Sequence, residues 1–396
     1  GMGIPVGKLT LSTAGSGIHP GSCLPIDVDV GTGNEELLAD PLYLGLRQPR
    51  LTGEPYFSLL DELVEGIRKV FPRAIVQWED FANDNAFQVL ERYRSQLPSF
   101  DDDIQGTGAV VVAGLRTALS RAGRNWRDER VVFFGAGASG GGCAFAVHAS
   151  LRALGMSEPE IRQRVLCLDS KGLILEDRPG LDGHKRLLAA PATLVKTWSG
   201  GKEGIYRLAD VVRNFKPTIL VGASGQPGTF TEDLVREMHA HCPRPIILPL
   251  SNPTSKSEAT PEDVLRWTEG KALVASGSPN ARVQCAGQEF EIGQANNVLI
   301  FPGLGLGAIA VEAREIPDEV LLAAADALFE TTQIRDEPGA PLYPSIAELR
   351  RVSRAVASAV ATSLVKLGSA PACDEAEIQD RISALVWEPR YDNDKN

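Results

Sequence analysis

A glycine-rich loop between a predicted strand and a predicted helix constrains the fold more than any other feature. The strand pattern Arg130–Phe134 runs into Gly135-Ala136-Gly137-Ala138-Ser139-Gly140, and a helical pattern follows over Cys143–Leu154. A GxGxxG spacing alone is weak, but between a strand and a helix it is typical of a dinucleotide-binding unit. Gly135, Gly137 and Gly140 would let the backbone approach a pyrophosphate, which then lies at the helix N-terminus.

An acidic residue ends the next predicted strand. The apolar run Val165–Leu168 leads directly into Asp169 and Ser170. An acid at the end of this strand is where a dinucleotide ribose hydroxyl is bound, and its negative charge opposes a 2′-phosphate. The pair therefore favours NAD over NADP. By itself, Asp169 is equally a turn residue at a strand end.

Predicted strands and helices then alternate. The strand patterns are Ile219–Ser224, Pro245–Leu250 and Ala272–Ala275, with helical patterns between them. This alternation predicts an α/β fold with a mostly parallel, doubly wound sheet. Ligands bind beyond the carboxyl ends of such strands, where Asn252 follows the second run. Asn252 is alternatively a turn residue before a proline.

Two acidic clusters stand at the ends of predicted elements. Glu79 and Asp80 end a short apolar strand pattern, while Asp101-Asp102-Asp103 precede a helical pattern that begins at Thr107. Clustered carboxylates repel one another unless a cation lies among them. Oxygen ligands without nearby His or Cys favour Mg²⁺ or Mn²⁺ over Zn²⁺. The alternative is an acidic strand end beside a helix N-terminus, which the helix dipole favours.

Other polar residues are ambiguous when taken singly. Lys8 lies in a glycine-rich N-terminal stretch and is, alone, most simply a surface charge. Asn296 and Asn297 precede an apolar run, where they either form a turn or supply amides to a carboxylate substrate. That run, Val298–Phe301, is predicted to be a strand, as is the alternating run Leu24–Gly31.

Composition excludes several classes of protein. The 396 residues predict two or three domains, and the net charge of −11 argues against a nucleic-acid partner. We find no apolar run of membrane-spanning length. The 6 cysteines form no CxxC pair, which predicts reduced thiols in a cytoplasmic protein. The chain begins with motif-like sequence and no signal peptide, so we expect an upstream segment, and a lost targeting peptide stays open.

The chain resembles the malic enzyme family over nearly its whole length. The motifs that carry the resemblance occur in one order: Gly3-Ile4-Pro5-Val6-Gly7-Lys8-Leu9, Asp29-Val30-Gly31-Thr32, Asp40-Pro41-Leu42-Tyr43, Trp78-Glu79-Asp80-Phe81, Asp102-Asp103-Ile104-Gln105-Gly106-Thr107, Leu250-Ser251-Asn252-Pro253-Thr254 and Gly293-Gln294-Ala295-Asn296-Asn297. The resemblance implies oxidative decarboxylation of L-malate to pyruvate and CO₂, with NAD and Mg²⁺ or Mn²⁺. It also implies homodimers or homotetramers.

The resemblance assigns roles to single residues. It makes Glu79, Asp80 and Asp103 the metal ligands, Lys8 the catalytic base and Asp102 its neighbouring acid. Gly135, Gly137, Gly140, Asp169 and Ser170 would hold the dinucleotide, Asn252 the nicotinamide ribose, and Asn296 and Asn297 the substrate carboxylate. We expect residues 1–102 and 296–396 to form a malate- and metal-binding α/β domain. Residues 103–295 would form a Rossmann-type NAD domain, with the active site between the two.

Two alternatives stay open at this point. Malolactic enzymes share these motifs and convert malate to lactate without releasing NADH. The segments 105–108 and 293–297 and the turn 338–341 resemble that branch at least as much. In the malic enzyme family the acid that protonates C3 is a tyrosine upstream of Gly1. A catalytically incomplete NAD-binding fragment is therefore the second alternative.

Overall fold

The residues before the glycine loop form helices and a small parallel sheet. The computed structural model describes residues 3–332 and 339–390. The first elements are α1 (Gly3–Ser16), α2 (Glu35–Ala39), α3 (Glu54–Val70), β1 (Val76–Trp78), α4 (Asn83–Tyr93), β2 (Ser99–Asp101) and α5 (Thr107–Ala122). Strands β1 and β2 pair in parallel, with Trp78 opposite Asp101. The two acidic clusters therefore leave the sheet side by side.

The predicted strand over Leu24–Gly31 is wrong, because this segment is irregular in the structure. The Asp29 carboxylate accepts the backbone N–H of Gly31 at 3.0 Å and that of Leu46 at 2.7 Å. An aspartate that bonds its own backbone offers the chain a turn in place of a strand ladder. The alternating pattern is thus real, but local side-chain bonds decide the conformation.

The central part of the chain forms a seven-stranded sheet with flanking helices. Its elements are β3 (Val131–Phe134), α6 (Ala138–Ala153), α7 (Glu158–Arg162), β4 (Val165–Asp169), β5 (Gly172–Leu173), α8 (Gly183–Leu188), α9 (Leu208–Phe215), β6 (Ile219–Gly222), α10 (Glu232–His241), β7 (Ile246–Pro249), α11 (Pro261–Trp267), β8 (Leu273–Ser276), β9 (Val283–Cys285), β10 (Gln288–Phe290) and β11 (Gly293–Gln294). The order is β11-β8-β7-β6-β3-β4-β5, while β9 and β10 form a separate antiparallel pair.

This order confirms the doubly wound α/β prediction. All neighbouring strands of the large sheet run parallel except β5, which pairs antiparallel with β4. Successive strands extend outward from β3 in one direction and from β6 in the other, so the topological switch lies between β3 and β6. In such sheets a ligand crevice opens at the switch, beyond the carboxyl ends of the strands.

Strand residues alternate between two buried cores. Phe133 and Val221 belong to one apolar cluster, whereas Val132 and Leu220 belong to the cluster on the opposite face. Both faces of the sheet are covered, which explains why its strands are continuous apolar runs without polar alternation.

The chain ends in a helical layer. Its helices are α12 (Phe301–Ala310), α13 (Asp318–Thr331), α14 (Leu349–Lys366) and α15 (Glu375–Leu385). The predicted strand Val298–Phe301 is wrong, because a single 3₁₀ turn over Asn297–Leu299 leads into α12. Gly303 packs so closely on α14 that an added Cβ would lie 2.5 Å from the Ser353 carbonyl oxygen. Contact between α12 and α14 overrides the strand pattern.

No helix in the described part of the chain is both long and apolar enough to cross a membrane. Pro338, from the turn compared with malolactic enzymes, lies outside the described residues. The division into residues 1–102 with 296–396 and residues 103–295 stays a prediction.

Candidate active site

Lys8 meets two of the predicted acidic residues. Its Nζ lies 2.6 Å from Asp102 Oδ2 and 3.1 Å from Glu79 Oε1. Lys8 comes from α1, Glu79 directly follows β1, and Asp102 directly follows β2. The Lys8 ammonium also lies 4.8 Å from the centre of the Phe301 ring, at the start of α12. The structure therefore joins three parts of the sequence that no local pattern connects.

A tight network holds the second acidic cluster. Residues Asp102–Gly106 form one π-helical turn, a wide turn that often occurs at functional sites. The Asp101 carboxylate accepts the Ile104 N–H at 2.9 Å, and the Asp101 N–H donates to Gln105 Oε1 at 3.0 Å. Gln105 in turn donates to Asp318 at 2.8 Å. These bonds fix Asp102 with its side chain fully buried.

The predicted metal ligands lie near one another but are not gathered at one point. Asp80 has a left-handed backbone, with φ of 59°, and its N–H donates to Asp103 Oδ2 at 2.8 Å. Its side chain is exposed, while Glu79 and Asp103 are partly buried. Within residues 3–332 and 339–390, no three His, Cys, Asp or Glu side chains are close enough together to hold a metal ion.

The electrostatics show an excess of negative charge. Burial and the neighbouring Asp102 raise the pKa of Glu79 to about 8, even though Lys8 opposes the shift. Burial also raises the pKa of Asp102 to about 6, with Lys8 again opposing. One ammonium thus serves two carboxyl groups. The ammonium lies closer to Asp102 than to Glu79, so it compensates the charge of Glu79 less well.

In donor type, these residues suit a hard divalent cation. Their donors are carboxyl oxygens, the type that Mg²⁺ and Mn²⁺ prefer. Asp102 Oδ1 is buried without a hydrogen-bond partner among the described residues, as is Asp101 Oδ2. A buried carboxyl oxygen without a partner is costly unless something else compensates it. A cation among these groups would supply that compensation and lower the pKa of Glu79.

Lys8 does not have the lowered pKa that a base requires. Burial disfavours its charged form, but the carboxylates of Asp102 and Glu79 outweigh burial and raise its pKa above the ordinary value. A cation that shares these carboxylates would weaken their hold on the lysine proton. The base role of Lys8 thus depends on what else binds the acidic clusters.

The glycine loop has the geometry expected of it. Gly135 directly follows β3 and has φ of 116°, and an added Cβ would lie 2.2 Å from the Ala223 carbonyl oxygen. At Gly140 an added Cβ would lie 2.1 Å from the Gly135 carbonyl oxygen. Any side chain at either position would collide with backbone. The loop opens into α6, as the sequence predicts, and the structure places it at the switch between β3 and β6.

A crevice of about 310 Å³ lies over this loop. It is lined by predicted residues and by several that the sequence did not single out: Asn83, Gly135, Gly137, Asp169, Ser170, His184, Lys185, Ser224 and Gln226 among them. Asn252, Asn296 and Asn297 do not line it, and neither does Gly140, which packs beneath the loop.

The asparagines have separate surroundings. Asn252 is exposed after β7. The Asn296 side chain accepts the Val298 N–H at 2.9 Å, which is the turn-forming alternative. Asn297 begins the 3₁₀ turn that contacts the π-helical turn of the acidic cluster.

Asp169 is already neutralised by cations. Arg178 binds it through two nitrogens, with Nη2 to Oδ2 at 2.5 Å and Nη1 to Oδ1 at 3.0 Å, and Lys185 Nζ lies 3.7 Å away. Burial opposes ionisation, but Arg178 outweighs it and lowers the pKa of Asp169. Repulsion of a 2′-phosphate by Asp169 is therefore weaker than the sequence predicts. Arg178 and Lys185 gave no recognisable signal in the sequence.

Two contacts link α4 to the dinucleotide crevice. The Asn83 side chain accepts the Ala138 N–H at 2.8 Å, at the first residue of α6. The Phe87 ring stacks on His184, with centroids 4.3 Å apart. Because Asn83 lies three residues after Asp80, the acidic cluster and the glycine loop adjoin. Asn83 and Phe87 belong to no motif or spacing pattern that would predict these contacts from the sequence.

Comparison with known proteins identifies the family. The profile described as "Malic enzyme, NAD binding domain" matches residues 104–365, and that described as "Malic enzyme, N-terminal domain" matches residues 1–94. The chain belongs to the malic enzyme family. Its NAD-binding part is the one that carries the glycine loop, so NAD is confirmed as the cofactor of this fold.

Relatives and solved structures agree with the family assignment. The NAD-dependent malic enzyme of Sodalis glossinidius is 47% identical over 99% of this chain and 69% of its own length. The corresponding enzyme of Acinetobacter baylyi is 45% identical with the same coverage. The malic enzyme structure from Pyrococcus horikoshii has a TM-score of 0.71 at 25% identity and covers 98% of this chain and 76% of its own. The Entamoeba histolytica malic enzyme, at 24% identity and a TM-score of 0.73, supports the fold over 98% of this chain and 69% of its own.

Proposed function

We propose that this chain catalyses the NAD⁺-dependent oxidative decarboxylation of L-malate to pyruvate and CO₂, with Mg²⁺ or Mn²⁺. The observation that carries the proposal is the convergence of Lys8, Asp102 and Glu79 beside the dinucleotide crevice. The NAD-dependent malic enzymes among the curated relatives support the same reaction. The malolactic alternative is not favoured.

The acidic clusters and the dinucleotide helix are in contact. Ile104, in the π-helical turn, packs on Gly142 of α6 so closely that a Cβ there would lie 2.3 Å from the Ile104 carbonyl oxygen. Such proximity suits a hydride transfer, in which substrate and nicotinamide must lie within van der Waals contact. The contact supports one catalytic site shared by the two groups of residues.

Glu79, Asp80 and Asp103 are the proposed metal ligands. When bound, the cation would polarise the C2 oxygen of malate and NAD⁺ would accept the C2 hydride. The bond between the Asp80 N–H and Asp103 Oδ2 engages one oxygen of Asp103 and neither oxygen of the Asp80 carboxylate. Asn297 is the proposed partner of the substrate carboxylate and Asn252 of the nicotinamide ribose.

Lys8 is the proposed proton acceptor. The 2.6 Å bond to the buried Asp102 holds its Nζ in one position, so it can meet the malate C2 hydroxyl without losing side-chain freedom at that moment. Asp102 remains a charge partner for the ammonium that forms. Lys8 would hold the hydroxyl proton beside the Phe301 ring while CO₂ leaves, and the overall reaction returns one proton to C3 of the product.

The test is turnover by the purified chain. We would supply L-malate, NAD⁺ and MnCl₂ and measure NADH, pyruvate and lactate together. We expect pyruvate and NADH in equal amounts, and a loss of about 10²-fold or more in kcat for Lys8→Ala, because general-base catalysis contributes on that scale. Lys69→Ala, on the exposed end of α3, is the control and should retain wild-type turnover.

Two results contradict the proposal. Lactate without NADH moves the chain to the malolactic reaction. Binding of NAD⁺ with neither product makes it a catalytically incomplete chain. Loss of turnover after chelation, restored by Mn²⁺ but not by Zn²⁺, would support the oxygen-ligand site.

We further propose a homodimer or homotetramer. Its support is a group of exposed apolar side chains before α3, including Leu24 at 57%, Leu42 at 82% and Leu44 at 100% exposure. Exposed apolar side chains mark a protein interface where they form one contiguous patch. Light scattering after gel filtration measures the state directly. Cytoplasmic localisation stays a prediction, and the six free cysteines support it because reduced thiols are typical of that compartment.

A further inference from the structure

Glu258 is a buried carboxyl group beneath the cofactor crevice. It is 0% exposed, and no sequence pattern pointed to it. Its carboxyl carbon lies against Gly222, the last residue of β6, where an added Cβ would be 2.6 Å away. Glu258 thus occupies the space directly below the carboxyl end of a central strand, which is where ligands bind in doubly wound sheets.

Two serines direct their donors to Glu258. Its Oε1 accepts the Ser224 N–H at 2.8 Å, the Ser224 hydroxyl at 2.8 Å and the Ser251 hydroxyl at 2.6 Å. Its Oε2 accepts the Ser251 N–H at 3.3 Å. Ser224 follows β6 and Ser251 follows the neighbouring strand β7. One side chain therefore ties two strand-end loops together.

The network continues to the wall of the crevice. The Ser251 hydroxyl accepts the Gly225 N–H at 2.9 Å, and the Ser224 hydroxyl accepts the Gln226 N–H at 3.1 Å. Each hydroxyl accepts from a loop N–H and gives its own proton to Glu258. Ser224 and Gln226 line the crevice, so the carboxyl group sets the position of lining atoms that it does not itself reach.

We propose that Glu258 is a positioning residue for NAD⁺. It holds the loop 224–226 and the residue before Asn252 in the arrangement that receives the nicotinamide half of the cofactor. The inference rests on the proposed function for the role of Asn252. The hydrogen bonds between Glu258 and the two serines are seen in the structure and do not depend on that proposed function. A carboxyl group accepts all four bonds, whereas a glutamine that keeps the three bonds on its oxygen turns its NH₂ group toward the Ser251 N–H.

The experiment compares Glu258→Gln with Glu129→Gln. Glu129 is a buried carboxyl group with 4% exposure, bound by Arg124 at 2.8 Å and by the Thr218 hydroxyl at 2.5 Å. Thr218 precedes β6, so this network lies at the opposite, amino end of the same strands. The control is therefore also a buried carboxyl group, but it is bound by an arginine and a threonine and lies remote from the crevice. NAD⁺ and AMP dissociation constants, without malate, are measured by fluorescence titration beside thermal unfolding.

We expect Glu258→Gln to weaken NAD⁺ binding about tenfold, since in either orientation the amide nitrogen would face at least one donor and leave it unpaired. Binding of AMP, which uses the Asp169 end of the crevice, should change less than twofold. Glu129→Gln should lower the unfolding temperature without changing either constant. Ser251→Ala removes the hydroxyl that donates to Glu258 at 2.6 Å and accepts the Gly225 N–H at 2.9 Å. It should show the same selectivity and serves if Glu258→Gln does not fold.

The proposal is overturned if Glu258→Gln binds NAD⁺ as the wild type does. It is also overturned if NAD⁺ and AMP affinities fall together, or if Glu129→Gln weakens NAD⁺ binding equally. Because no malate is present, these results do not depend on turnover. A chain that binds NAD⁺ selectively but forms no pyruvate would refute the proposed reaction and leave the role of Glu258 standing.

Discussion

Replacing Gly135 by alanine tests whether the glycine loop is held by backbone geometry. Gly135 has φ of 116°, and its added Cβ would lie 2.2 Å from the carbonyl oxygen of Ala223. A residue with a side chain in such a backbone region costs about 1–3 kcal/mol. The collision adds about 1–3 kcal/mol, because the obstructing atom belongs to backbone at the end of β6 and cannot rotate away.

We therefore expect Gly135→Ala to lower the free energy of unfolding by about 2–6 kcal/mol. Urea unfolding followed by circular dichroism measures the change, and NAD⁺ titration of the folded fraction measures the loop. NAD⁺ affinity should fall as well, since the loop must move away from β6 to admit the methyl group.

The matched control is Gly66→Ala in α3. Nothing lies within 4 Å of an added Cβ there, so alanine should stabilise the helix by about 0.5–1 kcal/mol. The reasoning is refuted if Gly135→Ala unfolds at the wild-type urea concentration and binds NAD⁺ normally. It would then follow that the loop relaxes around a side chain at negligible cost.

Three further predictions follow from single contacts. Arg178→Met removes the closer of the two cations at Asp169 and leaves Lys185 at 3.7 Å, so NAD⁺ should gain about tenfold over NADP⁺ in kcat/KM; an unchanged ratio would show that Asp169 does not sense the 2′-phosphate. Asn83→Ala removes the bond to the first N–H of α6 and should cost about 1 kcal/mol in urea unfolding; an unchanged midpoint would mean that solvent replaces it. Burial raises the pKa of Cys143 and of Cys167 to about 12, so a thiol reagent should not modify them before unfolding. As pH rises above about 8.5, unfolded thiols lose protons that folded ones keep, and the free energy of unfolding should fall; labelling of Cys143 in the native state would contradict this.

Local sequence patterns correctly predicted the elements that depend on interactions between residues close together in the chain. The helix over Thr107–Ala122 and the loop from Gly135 to Gly140 occur where the sequence puts them, because their signals lie within a few residues. Two strand predictions were wrong for opposite reasons, those over Leu24–Gly31 and Val298–Phe301. In the first, Asp29 bonds its own backbone, and in the second, α14 packs against glycines of α12.

The candidate site divides in the same way. The types and spacing of its residues were visible beforehand, and the Lys8–Asp102 pair joins two motifs from the same family resemblance. The role of Arg178 could not be predicted, because nothing in its spacing indicates that its side chain reaches back to Asp169. The burial of Glu258 could not be predicted, because an isolated glutamate in a loop is usually a surface residue.

The sequence by itself determined the fold class, the family and the chemical types of the site, since these depend on periodicity and on short motifs. Only the tertiary structure decided which charges compensate one another. Lys8 pairs with two carboxyl groups, Asp169 is neutralised by Arg178, and Glu258 is buried among serine donors. The reason is physical: pairing energies depend on distance and burial, and residues far apart in the chain acquire both only when the chain folds.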